Sequence, residues 1–75
     1  MPKSDPILTA LGRNVRQQRE ARSLTQEKLA ERAGLDPTYI SGIERGLRNA
    51  GIVNVARLAK ALGITPSRLL EGVAL

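Results

Sequence analysis

The sequence predicts an all-α domain of five short helices, and three observations carry that prediction. Hydrophobic residues make up 41% of the chain, yet Tyr39 is the only aromatic, so the core must be built from Leu, Ile, Val and Ala. Such residues suit helices better than a sandwich of strands. The apolar positions recur at steps of three and four, the helical period. A capping residue stands directly before proline at Asp5-Pro6, Asp36-Pro37 and Thr65-Pro66, which places proline in a first helical turn.

Residues 1–5, polar and carrying Pro2, read as a loose tail, and residues 6–75 as one domain. The first helix runs from Pro6 to about Arg22 with Leu8, Leu11 and Val15 on its apolar stripe. Gly12 borders that stripe where another helix can approach closely. Continuing the stripe by four reaches Arg19, and a charge on a buried face needs a partner. Thr25 caps a second helix ending near Ala33, Gly34 supplies a left-handed terminal residue, and Asp36 caps a third helix over about 37–45. After Gly46 and a loop to Gly51, a fourth helix carries Ile52, Val55, Ala56, Leu58, Ala59 and Leu62. Gly63 stops it, and Thr65 opens a fifth, short helix ending near Gly72.

A chain of 75 residues buries only about 60% of the surface its unfolded form exposes, so the core is modest. There is no Cys and no His, which excludes a disulfide framework, a thiolate nucleophile and the usual zinc ligands. No metal or cofactor is expected. Twelve bases against 7 acids give a net charge of +5, which on composition alone suits a polyanionic partner and a merely soluble basic protein equally well. No apolar run approaches the roughly 20 residues that span a bilayer, and no leader pattern opens the chain, so a cytoplasmic protein is expected.

Two short helices joined by a glycine turn are the signature of a helix-turn-helix. From Gln26 onward the spacing supplies Leu29, Ala30, Ala33, Gly34, Leu35, Ile40 and Ile43. Ala30 permits close approach, Gly34 makes the turn, and the two isoleucines seat the third helix on the second. The string TQEKLAERAGLDPTYISGIERG, preceded by LGRNVRQQREARSL and followed by ARLAKALGITPSRLL, resembles the Xre family of phage-repressor and Cro-like regulators over residues 7–71. Within it, TYISGIERGLRN is especially similar to the controller proteins of restriction-modification systems. The resemblance implies a five-helix, lambda-repressor-like domain whose third helix enters the major groove of double-stranded DNA, and hence a nucleoid-associated regulator.

With Ile40, Ile43 and Glu44 inward, Thr38, Gly42 and Arg45 point away from the domain, flanked by Tyr39 and Ser41. Thr38 suits a thymine methyl or a base edge, and Arg45 a guanine or a phosphate. A glycine inside a helix costs about 1 kcal/mol relative to Ala, so Gly42 marks either close approach of DNA or an accident of descent. The resemblance implies base contacts at Pro37, Thr38, and Ser41 or Gly42. Pro37 departs from the family pattern because it has no polar side chain, which shifts specificity toward Thr38, Tyr39 and DNA shape. Phosphate contacts are expected from Gln26 and Glu27 at the open end of the second helix, from Tyr39, and from Arg45, Arg48 and Asn49. Arg48 and Asn49 also fit a solvated loop. Arg13, Arg16 and Arg22 drift around the first helix and read as a solvated face.

Arg19 is expected to pair with Glu44, an arrangement that the resemblance also implies. Ile64, Leu69, Leu70 and Val73, with Leu75, are expected to form a homodimer interface, or else to close the core. A symmetric dimer reads a near-palindrome. Competing readings are a DNA-binding antitoxin or a regulator whose main client is a protein. An enzyme is disfavoured because no nucleophile or paired carboxylates stand in a recognisable motif. RNA binding is disfavoured because only Tyr39 is available to stack on a base.

Overall fold

The computed structural model describes residues 5–75, so the expected tail lies outside the described residues except for Asp5. Asp5 belongs to the first helix as its cap, its Oδ1 accepting from the Ile7 amide at 2.8 Å. The elements are α1 (Pro6–Ala21), α2 (Gln26–Ala33), α3 (Pro37–Glu44), α4 (Ile52–Leu62) and α5 (Pro66–Leu69), with no strand among the described residues. Each predicted helix is present. None of them is long and apolar enough to cross a membrane.

The stripes predicted from periodicity form the core, except that Leu8 is only half-buried and lies outside it. Val15, Leu29, Ile40, Ile43, Leu58 and Leu69 have essentially no exposed surface, and Leu11, Val55 and Leu62 close around them. α1 crosses α3 at Gly12, where an added Cβ would lie 2.7 Å from the Glu44 carbonyl oxygen. Only glycine permits that approach, because real Cβ atoms do not sit so close to backbone oxygen. Gly34 ends α2 at φ +71°, a left-handed conformation that turns the chain into α3.

α4 differs from its predicted stripe at its start. Ile52 and Val53 are 70% and 62% exposed, and Ala56 is exposed as well, because the buried face runs through Val55, Leu58, Ala59 and Leu62. α5 is a single turn. It is held to α1 by Asn14, whose Nδ2 donates to the Leu69 carbonyl at 2.9 Å and the Glu71 carbonyl at 2.8 Å. Leu69 is wholly buried, which corrects its assignment to a dimer surface: it closes the domain core and leaves nothing to offer a partner. Ile64, Leu70 and Val73 remain half-buried.

Candidate nucleic-acid interface

The surface built by α2 and α3 begins with their caps. The Thr25 hydroxyl accepts from the Lys28 amide at 3.0 Å, and Asp36 Oδ1 accepts from the Thr38 amide at 2.7 Å. The Gln26 and Glu27 amides are left at the open end of α2, aimed outward with the positive end of the helix dipole. Glu27 also brings an exposed carboxylate, so an anion there must use its backbone rather than its side chain.

Orientation of α3 is fixed by a polar cluster at its C-terminal end. Arg19 grips Glu44 with two parallel hydrogen bonds, Nε to Oε2 at 2.6 Å and Nη2 to Oε1 at 3.0 Å. Arg19 Nη1 donates to the Leu24 carbonyl at 2.8 Å, and Gln26 Nε2 donates to Glu44 Oε1 at 3.1 Å. The two charged side chains are 12% and 3% exposed. The hydrogen bond to Glu44 raises the Arg19 pKa above its ordinary value against the opposing effect of burial. The cluster therefore ties α1, the α1–α2 connection and the start of α2 to α3. It also holds the Gln26 side chain, so toward a phosphate that residue offers only its remaining amide proton and its backbone N–H.

On the outer side, Pro37, Thr38 and Arg45 are exposed, and Ser41 is half-buried. Gly42 is not open to a duplex, which corrects its place among the base-contacting residues. A Cβ built there would lie 2.6 Å from Arg48 Cγ, with Cδ and Nε next nearest at 3.6 and 3.5 Å. Gly42 is a seat for Arg48. Arg48 and Asn49 are exposed, yet the stem of Arg48 is laid along α3 rather than free in a loop.

Tyr39 is half-buried against the core, and its hydroxyl accepts from Asn54 Nδ2 at 3.1 Å. With one lone pair so engaged, the phenolic proton is available for an acceptor outside. Asn54 was not among the residues singled out from the sequence. Its signal is a lone amide in the apolar opening of α4, Ile52-Val53-Asn54-Val55.

A helix-turn-helix family model, HTH_3, matches residues 15–69. The control protein C.BamHI of Bacillus amyloliquefaciens is 49% identical over 66 residues, covering 87% of this chain and 82% of that protein. The control protein C.SmaI of Serratia marcescens is 42% identical over 74 residues, covering 93% and 88%. The crystal structure of the restriction-modification controller protein C.AhdI from Aeromonas hydrophila superposes with a TM-score of 0.81 at 47% identity, covering 83% of this chain and 94% of that one.

Proposed function

Since the chain belongs to the helix-turn-helix family and is a DNA-binding transcriptional regulator similar to restriction-modification controllers, not an enzyme, we propose that it acts as a homodimer on a near-palindromic operator. The observation that carries this reading is the anchored α3. A reading helix must be rigid to discriminate bases, and the Arg19–Glu44–Gln26 cluster fixes one end of α3 while Asp36 caps the other.

In this reading Thr38 and Ser41 meet base edges, with Pro37 packing against the groove wall. Phosphates are held by the α2 amides of Gln26 and Glu27, by the Tyr39 hydroxyl, and by Arg45, Arg48 and Asn49. With so few polar side chains on the reading face, DNA shape supplies part of the selectivity. A single domain this size touches few bases, so specificity requires two copies whose half-sites lie about one helical turn, roughly 34–36 Å, apart. The dimer surface is assigned to Ile64, Leu70 and Val73. Selection of random duplexes on the purified protein tests the reading: an inverted repeat with that spacing supports it, and an asymmetric or unselected pool sinks it.

A further inference from the structure

We propose that the cleft between α2 and α4, lined by Arg32, Ala33, Arg57, Lys60 and Ala61, docks an acidic segment of a partner protein. The cleft has a volume of about 440 Å³ and shares no residue with the α3 surface. Its three cations are exposed, and none has an ion-pair partner among the described residues, where the pairs engage Arg16, Arg19, Lys28 and Arg68.

Helix-dipole compensation explains part of this charge, because Arg32 and Lys60 stand in the last turns of α2 and α4. It does not explain Arg57, which lies in the middle of α4 and whose Nη1 comes within 3.9 Å of the Cβ position at Gly34, on the turn after α2. Arg57 thus brings a third cation to the same opening. Between the cations the floor is alanine: Ala33 is buried and Ala61 half-buried. Longer side chains at either position would fill the cleft.

Isolated exposed ion pairs contribute little, so recognition here needs several cations acting together with apolar contact. A phosphate chain uses the cations and leaves the floor empty. A peptide carrying carboxylates beside a Leu uses both, which is why charge and floor together favour protein over nucleic acid.

The test is a chemical-shift titration of the isotopically labelled protein with a capped peptide of Glu, Asp and Leu, compared with its Gln and Asn counterpart. Expected are amide shifts at Ala33, Gly34 and Ala61 for the acidic peptide alone, with affinity reduced about tenfold by Arg57→Glu and by Lys60→Glu. Ala61→Phe, which fills the floor without altering charge, should also weaken binding, whereas Arg45→Ala should change it less than twofold. Protein saturated with a duplex should bind the peptide as well as free protein does. Shifts centred on Thr38–Arg48, or displacement of the peptide by duplex, overturn the proposal and give the cations to DNA. Undiminished binding to Arg57→Glu and Ala61→Phe overturns it as well, leaving a solvated basic surface.

Discussion

Arg48 lies across Gly42, its Cγ 2.6 Å from where a β-carbon would stand, so the glycine inside α3 leaves room for the stem of a neighbouring arginine. Gly42→Ala gains about 1 kcal/mol of helix propensity but pushes the Arg48 stem aside. Expected is a melting temperature equal to or above the parent's together with weaker duplex binding. Arg48→Ala should lower the slope of log affinity against log salt by about one unit, equally for all duplexes. A slope equal to the parent's in both variants removes Arg48 from the interface.

Glu44→Ala leaves Arg19 with only the Leu24 carbonyl and Gln26 without its acceptor. Removing one member of a buried pair costs about 3 to 5 kcal/mol, read by urea denaturation. The pH dependence has a definite sign. Because the Arg19 pKa is raised in the folded state, its contribution is fully present below the ordinary arginine value and is lost only as pH rises through the raised one. The stability gap between the parent and Arg19→Met should therefore stay constant across neutral pH and narrow in strong alkali.

Thr38→Ala should relax base preference at one position per half-site by about 1 to 3 kcal/mol. Titration against the selected operator and its single-base variants measures this. If preference survives at every position, shape readout replaces Thr38.

Tyr39→Phe deletes the hydroxyl that accepts from Asn54 and should weaken specific and non-specific duplexes by similar factors. Asn54→Ala keeps the hydroxyl but frees it to rotate. A smaller loss of the same uniform kind is expected for it. Base-selective losses in either variant would falsify the phosphate assignment.

Val73→Glu places a charge among the half-buried Ile64, Leu70 and Val73 and should shift the sedimentation of a dimer to that of a monomer. Ile52→Glu with Val53→Glu probes the exposed apolar pair at the start of α4. Dissociation by the second variant and not the first moves the interface to α4.

Six of the ten helix ends are legible in the sequence because a residue with its own chemistry marks each of them. Asp5, Thr25, Asp36 and Thr65 offer side-chain oxygens to first-turn amides, and Gly34 and Gly63 adopt the left-handed turn. The Arg19–Glu44 contact is legible for a different reason: a charge on an apolar stripe must meet its opposite. Arg48 over Gly42 is not, since it depends on the path of a loop that no period encodes. Neither is Leu69, where the same apolar pattern serves a partner or a core and only the packing of α5 decides.

Asn14 reaches across 55 residues to take the Leu69 carbonyl, and a further two to take that of Glu71. One turn of helix does not hold itself in water, so the C-terminal segment borrows its order from α4 and the core around Leu69 as well as from Asn14 in the middle of α1. Hydrogen exchange should register the loan: deuterium enters the amides of Leu69 to Val73 when Asn14 lets go, while the amides of α2 and α3 stay protected. Among the described residues this segment is expected to open before α2 and α3 do, at the cost of exposing Leu69 and the part of the core it covers.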